Sequence, residues 1–377
     1  MAGISTLGQF LDQISRLRTQ QQQLGDLSIQ ISSGKKTQKL SGLGSDIIRT
    51  SRARVSVNQL TQYSENITNA TRRIKLMDTA LSEVKAQTDH IKGALQTAVQ
   101  EGDFPDFESI QALAGNVLDF IKDIINQKDG ERYLFAGGDT SEKPISKSGG
   151  LFESALGEYL PDESDLTNPA LVSSGMIGDW GDGTITTQEF IDSYHTTSDT
   201  VLGYSNPLTT NTAGKTIVRV SDDSEFDYTK LANDPSLREI VRLLSVLKAL
   251  PPVQYAPGAL NDPTATTFAE DTAPYPPAEK QESFFAVIND ITTYLSRAVT
   301  DLNQDMFDLA EIHAQITIIK NSNTDQINAF KDIIGDIEDV DTTEASAKLL
   351  QMQTQLQASF QVTAIVSQLT LANFLSA

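Results

Sequence analysis

The stretch from Gly178 to Glu189, Gly-Asp-Trp-Gly-Asp-Gly-Thr-Ile-Thr-Thr-Gln-Glu, has the residue types and spacing of half a calcium loop. Asp182 stands at the fifth position of such a loop and Gly183 at its sharp turn. Ile185 takes the eighth position, and Glu189 the place where a bidentate carboxylate closes the coordination. Gly178 and Trp180 stand where the first carboxylates belong, and Asp179 is out of register. A site without two of its charged ligands loses most of its affinity, so an acidic β-turn is the favoured reading of residues 178–189 and calcium the other.

The remaining candidates for chemistry are weaker. His90, His195 and His313 are far apart in the chain, and none has a second histidine at i+3 or i+4, so neither a zinc site nor a histidine-based catalytic set is predicted. His90 and His313 are expected on helix surfaces. Carboxylate groups such as Asp222 with Asp223, or Glu338, Asp339 and Asp341, are common on acidic surfaces and do not single out general acid or base work. There is no GxSxG, Gly-rich phosphate loop or HExxH. The absence of cysteine removes disulfides, thiolate metal sites and cysteine nucleophiles together, and suits a protein working in an oxidising exterior. No catalytic residue, metal or cofactor is therefore expected.

Charge narrows the partners. Fifty acidic against 29 basic residues give a net charge of −21, which argues against nucleic acid. Residues 1 to 150 are nearly balanced, with 18 basic and 17 acidic side chains, whereas residues 151 to 282 carry 7 and 21 and residues 283 to 377 carry 4 and 12. The middle is thus read as the solvent-facing part. The one positive patch, Lys35, Lys36, Lys39, Arg49, Arg52 and Arg54, is expected to meet acidic faces of other copies of the chain.

The elements that would position these residues are mainly helices. Near the start, Leu7, Phe10, Leu11, Ile14, Leu17, Leu24 and Ile31 recur at threes, fours and sevens. Near the finish, Leu349, Met352, Leu356, Phe360, Thr363, Val366 and Thr370 make a second seam, with Leu369 beside it. No charged side chain occurs from Leu349 to Ala377. Gln353, Gln355, Gln357, Gln361 and Gln368 stand where Lys and Glu usually keep an exposed helix soluble. Such stripes suit either two core helices of one domain or surfaces that wait for partners, and the glutamines favour partners. They also interrupt any run of about 18 apolar residues, so no membrane span is expected.

Between these ends, Leu60, Ile67, Ile74, Leu81, Val84, Ile91 and Leu95 keep near-heptad spacing up to a break at Gly102 to Pro105. A further helix is predicted over 106–127, with Ile110, Leu113, Val117, Phe120, Ile121 and Ile124 as its apolar face. Lys128-Asp129-Gly130 reads as a turn. After Thr140, Gly, Ser, Thr and Asp dominate, with short strands predicted at Thr184 to Thr187 and Thr216 to Val220 and a helix at Ser236 to Leu250. Seven of the 13 prolines fall in 251–280, which reads as a linker. Helix resumes at Ser283, with breaks near Gly335 and Asp341. The fold class expected is α+β: a long antiparallel helical coiled-coil bundle from both termini with a β-rich variable middle domain.

Ile29 to Lys36, Ile-Gln-Ile-Ser-Ser-Gly-Lys-Lys, resembles the N-terminal segment of bacterial flagellins and of flagellar hook-associated protein 3, the protein of the hook–filament junction. The run Ile337-Glu338-Asp339-Val340-Asp341, then Gln355 to Phe360, then Ser367 to Leu375, resembles the C terminus of the same family. The resemblance covers about the first 140 and last 95 residues. It implies a structural protein without catalysis, whose terminal helices line the core of a tubular filament while the variable middle faces solvent. It divides the chain into an N-terminal core helix (1–40), an N-terminal wall segment (41–140), a variable surface domain (141–282), a C-terminal wall segment (283–339) and a C-terminal core helix (340–377).

The assembly residues it implies are Leu7, Leu11, Ile14, Leu17, Leu24, Ile31, Leu349, Met352, Leu356, Phe360, Val366 and Leu369. The implied partners are other copies in a helical filament, hook-associated and filament-cap proteins, the flagellar type III export apparatus and an export chaperone. The implied location is extracellular, on the flagellum. Export by that apparatus would agree with the lack of a secretory signal in Met1 to Phe10, which has no basic stretch and no continuous apolar run. Glu131 to Thr140 looks more like the junction protein, leaving filament flagellin and junction protein as the two forms of this reading. The rival from another class is a secreted enzyme or carbohydrate-binding protein with its activity in the middle, supported by the acidic surroundings of Trp180, Tyr194, Tyr204 and Tyr228.

Overall fold

The computed structural model describes residues 2–101, 107–146, 156, 175–181, 185–250 and 278–375. Helix dominates. In order come α1 (Ala2–Ser33), a short 3-10 helix (Leu40–Asp46), α2 (Ile47–Glu101) and α3 (Phe107–Ile125). Strands β1 (Lys128–Asp129) and β2 (Arg132–Tyr133) lead into the middle, which holds α4 (Met176–Gly181), α5 (Thr187–His195), α6 (Asn206–Thr209), β3 (Ile217–Arg219), β4 (Glu225–Asp227) and α7 (Pro235–Ala249). Two long helices, α8 (Ala278–Glu338) and α9 (Thr342–Leu375), return the chain to its terminus. No helix among the described residues is long and apolar enough to cross a membrane.

The chain divides into two compact units, one made of Met1–Gln62 with Asn321–Ala377 and the other of Tyr63–Lys320. In the terminal unit α1 packs on α9. Gly34 takes a left-handed φ of 72°, a conformation glycine adopts without steric cost, and so ends α1. Lys35 and Asp339 then form an antiparallel bridge, with Lys36 N–H donating to the Glu338 carbonyl at 2.7 Å and Val340 N–H to the Gly34 carbonyl at 2.9 Å. Because the end of α1 meets the start of α9 here, the two helices run antiparallel away from the junction. Asp341 caps α9 by accepting from the backbone N–H of Thr343 (2.8 Å) and Glu344 (3.1 Å), and these bonds hold its carboxyl below the usual range.

In the larger unit the apolar faces of α2, α3, α7 and α8 share one core. Ile67, Ile74, Leu81, Val84, Ile91 and Leu95 of α2 are all buried, as are Val117, Ile121 and Ile124 of α3, and Phe284, Ile288, Ile291, Leu295, Leu302 and Leu309 of α8. Phe120 departs from the predicted face and is exposed. The turn predicted at Lys128 to Gly130 is a hairpin, Lys128 pairing with Tyr133 and Asp129 with Arg132, and Gly130 at φ 63°. The buried Arg73 guanidinium ties it to α2 by donating to the carbonyls of Tyr133 and Leu134. The second ladder pairs Ile217 with Asp227, Val218 with Phe226 and Arg219 with Glu225, where a strand is predicted.

Three local expectations change. Ile185 to Thr187 is the entry to a helix and not a strand: Thr186 caps α5 in a reciprocal capping box with Glu189, and Thr184 lies outside the described residues. Helix α8 continues through Gly335 without a break, and its interruption falls at Asp339 to Asp341. The resumed helix begins at Ala278, ahead of Ser283. Most of the proline-rich stretch, 251–277, lies outside the described residues.

Candidate assembly surface

The α1–α9 pair carries the predicted terminal residues. On α1 the half-buried positions include Gln13, Leu17, Gln20, Leu24, Leu27 and Ile31, which alternate by fours and threes, with Gly25 and Gln30 beside them. On α9 the matching row is Ala345, Leu349, Met352, Leu356, Ser359 and Thr363. Leu17, Leu24, Ile31, Leu349, Met352 and Leu356 thus meet across the hairpin as a heptad seam. Leu27 belongs to it and escaped the sequence reading, although it completes the spacing between Leu24 and Ile31.

Leu11, Ile14 and Phe360 do not lie in that seam. They are 57%, 42% and 46% exposed, and Leu350, Val362 and Ile365 of α9 are exposed as well. The N-terminal stripe is therefore two stripes, one closed within the chain and one open. A fully buried Leu or Ile side chain stabilises by about 1.5–3 kcal/mol, so the half-buried seam realises only part of that gain and the more exposed residues less of it. The side chains of Leu7, Val366 and Leu369 lie outside the described residues.

Where α1 and α9 meet, charge holds the turn. Glu338 is buried, and Arg54 donates to both of its carboxylate oxygens, Nη2 lying 2.8 Å from Oε1 and 2.7 Å from Oε2. Lys35 Nζ lies 2.5 Å from Asp339 Oδ1 and 3.5 Å from Glu338 Oε2, and the bond to Asp339 raises the Lys35 pKa. Lys36 Nζ donates to the Asp336 carbonyl at 2.6 Å. Half of the predicted basic patch is thus engaged inside the chain, in the same segments that resemble flagellins.

Helices stand on both sides of the candidate calcium segment. Met176 to Gly181 is helical, Ile185 N–H donates to the Asp179 carbonyl at 3.0 Å, and residues 182–184 lie outside the described residues. Glu189 accepts from Thr186 N–H (2.8 Å) and Oγ1 (3.0 Å), so the expected closing ligand is occupied as a cap. Those bonds hold its pKa down. Trp180, Tyr194, Tyr204 and Tyr228 are all buried, and Trp180 stacks on Phe190 at 4.9 Å while its Nε1 donates to Thr187 Oγ1 at 3.1 Å. They are core residues and offer no aromatic platform for a sugar, which removes the observation behind the enzyme or carbohydrate-binding rival.

His195 acquires partners that spacing could not show. Its Nε2 lies 2.8 Å from Asp290 Oδ2 of α8, and its Nδ1 3.2 Å from Glu239 Oε1 of α7. Burial lowers its pKa, but the hydrogen bonds to Asp290 and Glu239 outweigh that and raise it to about 9. Tyr194 donates to the same Asp290 oxygen. An imidazolium held between two carboxylates is a cross-link among α5, α7 and α8, and is no free base. His90 is exposed on α2, as expected, whereas His313 is half-buried on α8.

The bacterial flagellin N-terminal helical region matches residues 4–140, and the bacterial flagellin C-terminal helical region matches residues 292–375, together more than half of the chain. The chain belongs to the bacterial flagellin family. That family is structural and builds the bacterial flagellum, so this chain is a flagellar structural protein with the long paired terminal helices of its family. No curated protein matches the sequence. Among solved structures, a flagellar hook-associated protein from Vibrio parahaemolyticus is similar over 79% of this chain and 100% of its own, at 15% identity and a TM-score of 0.43, a likeness too distant to argue from.

Proposed function

We propose that this chain is a filament flagellin, a subunit that polymerises outside the cell through its terminal helices. The observation that carries this reading is the set of exposed apolar side chains on the terminal hairpin, Leu11 and Ile14 on α1 with Phe360, Val362 and Ile365 spread around α9, beside a seam that the chain already closes. A stretch without a single charge from Leu349 to Ala377 holds its apolar side chains in water only weakly, through glutamines, and covering by neighbours of the same kind is favoured. The proposed assembly residues are Leu7, Leu11, Ile14, Leu17, Leu24, Ile31, Leu349, Met352, Leu356, Phe360, Val366 and Leu369. Hook-associated and cap proteins, the type III export apparatus and an export chaperone are the further partners of this reading.

A second reading, the hook–filament junction protein, is favoured by Glu131-Arg132-Tyr133-Leu134-Phe135-Ala136, whose hairpin is anchored by the buried Arg73. Electron microscopy of the purified full-length chain with short filament seeds separates the two. Long tubes from the intact chain, and none from a chain trimmed of residues 1–40 and 340–377, support the filament subunit. Short caps on the seeds support the junction protein, and persistent monomers overturn both.

A further inference from the structure

Two exposed stripes in the terminal unit share one spacing and carry opposite chemistry. On α2, Ile48, Arg52 and Val55 fall at i, i+4 and i+7, and Ile48 and Val55 are 61% and 60% exposed. They point away from the face that buries Thr50 and Ala53. On α8, Asp325, Ala329 and Asp332 repeat the same i, i+4, i+7 spacing, and all three are exposed. At about 100° per residue this stripe lies opposite the side on which Asn323 and Glu338 are buried. Arg52, Asp325 and Asp332 have no hydrogen-bond or ion-pair partner among the described residues.

We propose that the Ile48–Arg52–Val55 stripe of one copy docks on the Asp325–Ala329–Asp332 stripe of a second copy, a contact that adds register to the apolar terminal helices. Three features fit this occupant. Asp325 and Asp332 are about 10 Å apart along the helix, so a guanidinium seated over the small Ala329 reaches both carboxylates. Ile48 and Val55 flank Arg52 and shed water when the stripe is covered, which strengthens the ion pair they surround. The side chains also differ in sign by segment: residues 1–62, which include the α2 stripe, carry eight basic and three acidic side chains, and residues 321–377, which include the α8 stripe, carry two and seven.

Because the two stripes differ, the contact is heterologous. It propagates from copy to copy and does not close on itself as a symmetric dimer would. The inference rests on the assembly reading above, and its test keeps the two apart by a charge swap in the full-length chain. Arg52→Glu and the pair Asp325→Arg with Asp332→Arg are each expected to raise the critical concentration for polymerisation about tenfold or more, with circular dichroism unchanged because every site is exposed. The triple variant carrying all three changes, and an equimolar mixture of the two parents, are expected to polymerise again, since each then presents opposite charges across the contact.

Parents that polymerise like the wild type, or a triple variant no better than its parents, overturn the docking while leaving self-assembly intact. A wild-type chain that stays monomeric under seeding overturns self-assembly and the docking with it. Loss of assembly in Arg52→Glu alone, unrescued by the swap, assigns Arg52 to a different partner and also overturns the proposal.

Discussion

Arg54 and Glu338, 284 residues apart in sequence, form the bidentate ion pair that closes the terminal unit around the turn between α1 and α9. Glu338 is 7% exposed and Arg54 52%, so the carboxylate has given up its water while the guanidinium keeps half of its own. Replacing Glu338 by Gln keeps the shape and removes the charge that both Arg54 and Lys35 address. The expected cost is about 1–2 kcal/mol, confined to the terminal unit. Hydrogen exchange should show it as faster exchange at the Lys36 and Val340 amides with the larger unit unchanged; equal exchange in both proteins would mean that the pair does not hold the turn.

Trp180 is the only tryptophan in the chain and is wholly buried, so its fluorescence reports on the larger unit alone. Thr187→Val preserves the shape beside it but leaves the indole N–H without its acceptor. The expected loss is about 1–3 kcal/mol of stability, read as a lower denaturant midpoint for the shift of tryptophan emission. An unchanged midpoint would show that the N–H finds another acceptor.

The His195 clamp sets an alkaline limit on the same unit. Its folded pKa, about 9, lies above the ordinary histidine value, so the folded state binds the proton more tightly than the unfolded chain. The stabilisation is complete below about pH 6.5 and is lost as pH rises through 9, roughly 2 kcal/mol in all after allowance for solvent screening. Stability of the wild type should therefore fall between pH 7 and pH 10, and that of His195→Gln should start lower and fall less. Parallel curves for the two proteins would remove the clamp from the account.

The paired helices were legible because apolar residues at threes, fours and sevens admit few other structures, and Ile67, Ile74 and Leu81 sit where that spacing puts them. Spacing could not decide which of two stripes on α1 faces α9: Leu11 and Leu24 look alike until the partner helix is placed, whereas Leu27 was readable, since it completes the spacing from Leu24 to Ile31. Thr186 and Glu189 did carry a readable signal, the T-x-x-E of a capping box, which the β propensity of Thr-Ile-Thr-Thr obscured. Gly335 reads as a break, yet a helical glycine costs only about 1 kcal/mol and the long helix absorbs it. His195 had no local signal, because Glu239 and Asp290 come from helices that meet it only in three dimensions. The four middle aromatics suggested a binding surface by type alone, and their burial shows how little residue type says without exposure.

The closed seam and the exposed apolar residues of the terminal hairpin separate folding from assembly. Leu356→Asp places a carboxylate inside the α1–α9 seam, so the monomer should lose hydrogen-exchange protection along α1 and polymerisation should fail with it. Leu11→Asp changes one of the exposed side chains, so protection along α1 should persist while polymerisation, followed by light scattering, is abolished or its critical concentration raised at least about tenfold. A Leu11→Asp chain that polymerises like the wild type would mean that the exposed apolar residues are not an assembly surface, and the terminal seam would then have to be explained as an ordinary intramolecular hairpin.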